Sequence, residues 1–387
     1  MVTGVYDPET SGASLQCKQL IAGLQSAADF TVLTTSADRA LPRRDVVDGT
    51  PVFRIYVDPA KPFTKLTATA AILRVFLSLA PRVDVLHIHG FSQKNILVSW
   101  LARLARIPIV MKLTSHGHDD AETMQRKGRA SYRVYQSVDR AIAVSPALER
   151  AWQNAGLDAN RVIHIPNAVD AQRFHPPADG ERATLKRAYA WDANLPVVLF
   201  VGFFSHEKRP DLLYRAWATL WGRGVRSTLV IVGATRSAYY EVDAAMAEEM
   251  RADARRRGLQ SHLVLVERAP DIENYYRAAD IFALPTTREG LPNVLLEAMA
   301  TGVAPVVSNL PGVTDWIVKD GISGRLVPPH DEAAFVEALR NLLENDALRE
   351  SMGAAARRHV EEHFAPHITA SRTLDVYRAL VPRPRPS

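Results

Sequence analysis

The chain has one cysteine, Cys17, in 387 residues. A lone thiol cannot close an internal disulfide. That excludes a disulfide-stapled secreted scaffold and fits a reducing compartment. No uninterrupted apolar run reaches the ~18 residues that a spanning helix needs. The first residues lack a basic, apolar, small-residue signal pattern, and Val2–Tyr6 reads instead as a strand. The expected location is therefore the cytoplasm. Aromatic residues make up 7% of the chain, with no basic stripe interleaved with them and no nucleic-acid module, so nucleic acid is not an expected partner. No repeat recurs at a solenoid period.

What is present is ordinary globular composition, 47% hydrophobic and 23% charged. The length exceeds the usual single domain, so two domains are expected. The net charge of +5 is unevenly placed: residues 1–170 hold 20 Lys+Arg against 15 Asp+Glu, whereas residues 171–387 hold 27 of each. A basic first half suits an anionic partner such as a lipid phosphate, a membrane surface or an acidic glycan, and equally a mildly basic solvated face.

Apolar strand-like runs alternate with helical patterns along the whole chain. In the first half the strands fall at Val2–Tyr6, Phe30–Thr34, Val52–Val57, Asp84–Gly90, Ile109–Leu113, Ala141–Val144 and Val162–Pro166. A second series begins at Val197–Val201 and runs to strand Gly324–Val327 and helices 331–344 and 346–362. Such alternation predicts α/β architecture with parallel sheets covered on both faces. The expected division is residues 1–175, a linker over 176–194 carrying Pro176-Pro177 and Asp179-Gly180, and residues 195–365, with a final helix over 366–381 returning to the first domain. Residues 382–386 read as a polar tail. The helix from about Lys65 to Leu79 suits packing on a sheet, with contact to a membrane surface as the alternative.

The most informative stretch is Arg288–Ala300. Strand 281–284 leads into a short helix with Pro292 at its first position and Gly302 at its stop. Glu289 lies just before this helix and Glu297 inside it. A helix N-terminus binds phosphate through backbone N–H groups and its dipole. Ionised carboxylates accept hydrogen bonds from sugar hydroxyls. Together they suggest a nucleotide sugar. Gly12, His116, Gly202 and Glu289 all follow strand C-termini, where ligands of such sheets bind. Since they come from both halves, a site between the domains is expected.

Taken in order, Gly12, His116-Gly117, the run Ile165–Asp170, Val201-Gly202 with Lys208, the Glu289–Glu297 segment, Gly312 and the run Asp320–Val327 resemble a retaining glycosyltransferase of the GT-B fold, family 4. The resemblance covers nearly the whole chain and implies two doubly wound Rossmann-like domains. It also implies glycosyl transfer from a nucleoside-diphosphate sugar, with the anomeric configuration kept and no metal required. The donor is expected on the second domain and a glycan or lipid-linked acceptor on the first, in cell-envelope or exopolysaccharide synthesis. By the same resemblance Lys208 binds donor phosphate, Glu289 and His116 meet the donor sugar as the catalytic pair, and Glu297 holds ribose hydroxyls. Gly290, Leu291 and Asn293 offer N–H groups to the diphosphate, and Gly12 and Gly202 line the donor loops.

The chain departs from the family pattern at Phe203, where an arginine is usual. Arg209 is the expected substitute, with His206 as the other candidate. Ala13 replaces a second glycine, and Glu267 stands where glycine is frequent, which makes Arg268 a candidate neighbour of the nucleobase. His116, His118, Asp119 and Asp120 lack a metal-ligand spacing. His87 and His89 alternate on a strand and read as packing residues. Two alternatives stay open: a nucleotide-sugar-binding protein with little transferase activity, and a nucleotide-sugar epimerase. Alanine- and arginine-rich usage looks bacterial.

Overall fold

The computed structural model describes residues 1–58, 60–235 and 242–381. The expected tail at 382–386, and the first two residues expected for helix 240–257, lie outside them. Two compact units divide the chain. One comprises Met1–Ala168 with the C-terminal stretch from Pro366, the other Val169–Ala365.

The first unit carries strands β1 (Val2–Thr3), β2 (Val32–Ser36), β3 (Arg44–Val47), β4 (Thr50–Tyr56), β5 (Leu86–His89), β6 (Ile109–Leu113), β7 (Arg140–Ala143) and β8 (Val162–His164). Their order is β3-β4-β2-β1-β5-β6-β7-β8. Every pairing is parallel except β3 with β4. That hairpin was not anticipated, although its turn is written as Asp48-Gly49. Both residues have positive φ, 48° and 78°, the geometry that lets a two-residue loop follow strand twist. β1 is shorter than the expected Val2–Tyr6. Beyond it the Gly4 carbonyl accepts from Thr34 Oγ1 at 3.2 Å and Thr35 Oγ1 at 2.9 Å, and more weakly from Thr35 N at 3.4 Å.

The helix Gly12–Leu24 covers this sheet, capped by Ser11, whose Oγ accepts from Ser14 N. Gly12 is thus the first helical residue rather than part of an open loop. The helix Pro366–Leu380 packs beside it, and both close over Val110, Ile142 and Ile165. His87 and His89 are buried, as their alternation suggests, with His87 Nδ1 2.5 Å from Tyr377 Oη. Burial and the neighbouring Lys112 hold both imidazoles well below their usual range.

The helix Pro62–Leu79 follows the packing expectation on one side only. Thr64, Ala68, Ile72 and Phe76 are buried, while Phe63, Leu66, Leu73 and Leu77 are exposed.

The second unit carries β9 (Val197–Val201), β10 (Thr228–Val232), β11 (Leu263–Val266), β12 (Ile281–Leu284), β13 (Ala304–Ser308) and β14 (Arg325–Val327). The order β11-β10-β9-β12-β13-β14 is all parallel and reverses direction between β9 and β12. A crevice for ligands forms at the carboxyl ends of strands where the order reverses.

Residues 176–194, expected as a linker, lie inside this unit. The helix Glu181–Ala188 is fastened to the base of the sheet by Lys186, whose Nζ is 2.7 Å from Asp280 Oδ2 with both side chains buried. Asp280 also accepts Val197 N at 2.8 Å, so one carboxylate ties the helix to the start of β9. Composition marked this stretch as polar, but the partner that buries its lysine lies far off in sequence.

Candidate active site

In the second unit β9 and β12 are neighbours, and the loops leaving their carboxyl ends are tied together. The backbone N–H of Thr287 donates to Glu207 O at 2.8 Å, and Thr286 Oγ1 and Thr287 Oγ1 donate to the same carbonyl at 3.2 Å each. Arg288 and Glu207 add an ion pair. Across this seam Lys208 Nζ lies 2.6 Å from Glu289 Oε1, with Glu289 only 9% exposed. Two residues 81 apart in sequence form one charged centre at the switch point.

The helix after Glu289 runs Asn293–Ala300, with Pro292 as its cap rather than its first residue. Gly302, at φ 73°, ends it. Its position is fixed from behind by a close crossing: a Cβ on Gly353, in the helix Asp346–His363, would sit 2.1 Å from Gly302 O. Glu297 projects from the second turn, partly covered. Tyr276 Oη donates to Glu297 Oε2 at 2.9 Å. Burial pushes the Glu297 carboxyl up, and the Tyr276 hydrogen bond and the charge of Arg173 work against that rise. Arg173 is itself held by Glu273 at 2.8 Å.

Gly202 follows β9, and its neighbour in space was not foreseen. Gly233, after β10, lies so close that a Cβ there would meet Gly202 O at 1.8 Å. The sequence signal was available, since Val232-Gly233 ends an apolar strand in the same way as Val201-Gly202. Phe203 is 41% exposed. Arg209, expected to replace the missing arginine, has a left-handed backbone with φ 54°. Its guanidinium is engaged by Asp211 at 3.0 Å and by His330 Nδ1 at 3.0 Å. His206 faces Asp243 at 3.2 Å. Glu267 does not point to a base site by its contacts, because its carboxylate accepts Thr235 N at 3.0 Å. Arg268 is exposed beside it. Gly290 and Leu291 are buried and Asn293 half-buried at the helix start.

In the first unit His116 is exposed in the loop after β6. The adjacent acids are committed to that loop. Asp119 accepts Phe91 N at 2.8 Å, Thr114 N at 2.9 Å and Thr114 Oγ1 at 2.6 Å. Asp120 caps the helix Ala121–Arg126 by accepting Thr123 N at 2.9 Å. No group of three or more metal-ligating side chains occurs among the described residues.

A lysine that sequence reasoning passed over lies at the carboxyl ends of β1 and β2. Lys94 Nζ donates to Gly4 O at 3.2 Å and to Thr35 Oγ1 at 2.9 Å. Burial lowers its pKa to about 7.

The family model described as "Glycosyl transferases group 1" matches residues 181–359, and the model of a glycosyl transferase 4-like domain matches residues 11–168. A D-inositol 3-phosphate glycosyltransferase of Kineococcus radiotolerans is 31% identical over 325 residues, covering 77% of this chain and 72% of that relative. Its namesake in Kribbella flavida is 30% identical over 390 residues, covering 94% and 89%. Among solved structures, Anabaena Alr3699/HepE in complex with UDP-glucose superposes with a TM-score of 0.79 at 18% identity, covering 98% of this chain and 99% of that one. Sucrose-phosphate synthase of Thermosynechococcus elongatus superposes at 0.80 with 21% identity over 98% and 99%. The expected fold is thereby shown: two doubly wound α/β units of the GT-B type.

Proposed function

Because the chain belongs to the group 1 glycosyltransferases, we propose that it moves a hexosyl group from a UDP-sugar to an anionic acceptor with retention of configuration. The observation that carries the donor reading is the Lys208–Glu289 pair, 2.6 Å apart at the switch point between β9 and β12. A compact ammonium beside a helix N-terminus suits a diphosphate leaving group. UDP is the nucleotide of choice because the solved neighbour binds UDP-glucose.

In this reading the donor diphosphate takes over Lys208, with Gly290, Leu291 and Asn293 supplying N–H groups and Gly202 giving room for it. Glu289, released from Lys208, holds the transferring sugar's hydroxyls, and Glu297 holds the ribose. Glu289 stabilises and positions rather than attacks, and the leaving phosphate receives the acceptor's proton as the new bond forms on the same face. Arg209 keeps a minor part in donor binding, since Asp211 already offsets its charge, and Arg268 flanks the base. His116 keeps the role toward the donor sugar that the family resemblance implies.

The acceptor is a phosphorylated polyol, free or lipid-linked in envelope synthesis. Support comes from relatives named for inositol 3-phosphate and from the positive excess over residues 1–170. Lys94, a partly buried cation, is the proposed contact for its phosphate. The reaction is metal-independent and cytoplasmic.

A panel of UDP-, GDP- and ADP-sugars read by nucleotide release tests this, run with and without EDTA, with inositol phosphate as acceptor and the anomer assigned by NMR. Lys208→Ala is the control. Release restricted to a nucleotide other than UDP would overturn the donor reading, an inverted product the mechanism, and nucleotide binding without any turnover the transferase itself.

A further inference from the structure

Residues 60–112 contain eight Lys+Arg and a single acid, Asp84. The helix Pro62–Leu79 crosses this stretch and bears two apolar stripes. At about 100° per residue, Thr64, Ala68, Ile72 and Phe76 define one stripe, and Phe63, Leu66, Leu73 and Leu77 define another about 150° away. The first packs on unit 1. The second is left exposed among the described residues, with Phe63 73% exposed and Leu66 69%. On the helix Lys94–Leu104 beside it, Trp100 and Leu104 are exposed as well. These six are more than half of the ten large apolar side chains left exposed among the described residues.

We infer that this face docks on an anionic lipid bilayer, lying along the interface. The segment Pro62–Arg82 is long and apolar enough to span a membrane by length and composition. Its inner stripe is nevertheless built into unit 1, and Lys65 and Arg74 interrupt it, so it lies on the bilayer rather than across it. Surface binding draws on buried apolar area plus attraction of cations to anionic headgroups. Both are available here. Lys65, Arg74, Arg82 and Arg106 are exposed and make no ion pair among the described residues. A second copy of the chain is the poorer occupant. A two-fold interface on this face would set these unpaired cations against themselves, since the neighbouring acids Asp58 and Asp139 already pair with Lys61 and Arg103. The inference does not depend on the donor or acceptor proposed above, since its readout is lipid binding.

The test is sedimentation of the full chain with phosphatidylcholine vesicles, with and without phosphatidylglycerol, at low and high salt. Binding is expected on phosphatidylglycerol vesicles and should weaken with salt. Leu66→Glu with Leu73→Glu should cut partitioning by more than about tenfold, and Arg74→Glu by about fivefold. All altered side chains are exposed, and unchanged melting temperatures with unchanged nucleotide release from a soluble donor establish that the variants fold. Absence of wild-type binding to phosphatidylglycerol vesicles would overturn the inference. So would undiminished binding by the double variant, or a dimer in solution that the double variant dissolves.

Discussion

Lys208 and Glu289 neutralise each other at 2.6 Å before any ligand arrives. On the proposed reading the donor therefore exchanges one ionic partner for another rather than binding a bare cation. Glu289→Gln keeps the shape and removes the charge. We expect kcat to fall about 10²-fold or more, the scale of a lost preorganised electrostatic contact, measured as steady-state nucleotide release. Near wild-type turnover would remove Glu289 from the reaction centre. Tyr276 tests the second carboxylate. Burial already raises the Glu297 pKa and the Tyr276 hydroxyl restrains that rise. Tyr276→Phe should raise it further, so the carboxylate is lost at a higher pH as the solution is acidified. The acidic limb of the kcat/KM profile for the donor should move upward, while an unmoved limb would separate Glu297 from donor binding.

At the scale of elements, two short contacts hold the second unit in register. Gly233 admits the β9 loop because it has no Cβ, the alternative being a 1.8 Å contact with Gly202 O. Gly233→Ala should lower the melting temperature and raise the donor KM. Gly222→Ala, where an added Cβ meets nothing within 4 Å, should leave both unchanged. Lys186 and Asp280 are buried partners, and removing one leaves the other uncompensated. Lys186→Met should cost about 3–5 kcal/mol by denaturant unfolding, with the double variant Lys186→Met, Asp280→Asn recovering part of it. These contacts also mark where sequence reading stopped. Strands such as Ile109–Leu113, Thr228–Val232 and Leu263–Val266 were legible because their apolar runs are local signals. The placement of Glu289 and Glu297 around a helix start was legible for the same reason. Gly233, Tyr276 and Lys94 were not, since each gains its meaning from a partner far along the chain. Arg209 was expected to make up for the arginine missing at Phe203, and its ion pair with Asp211 two residues on was not foreseen.

Across the whole molecule, the fold class followed from alternation alone, but the division of the chain did not. Polar composition suggested a linker at 176–194, whereas the first unit ends at Ala168; the return of the last helix to it, from Pro366 onward, was expected. Ala370, Val376 and Tyr377 of that helix complete a core with Leu20, Leu24, Val110, Ile142 and Ile165. Truncation after Ala365 should therefore lower the stability of the first unit and expose its apolar face, read as dye binding and a lost or lowered melting transition. The second unit, whose core is contiguous in sequence, should keep its own transition. A truncated chain with both transitions intact would show the helix to be dispensable.

That return of the C-terminal helix also sets an order on synthesis. Nearly two hundred residues, 169–365, separate the body of the first unit from the helix that seals it. While the ribosome makes them, the second unit can fold as one continuous piece, but the first waits with Val110, Ile142 and Ile165 covered by the helix Gly12–Leu24 alone. The half that emerges first is thus the half that finishes last, and during that interval it is the natural client of a chaperone.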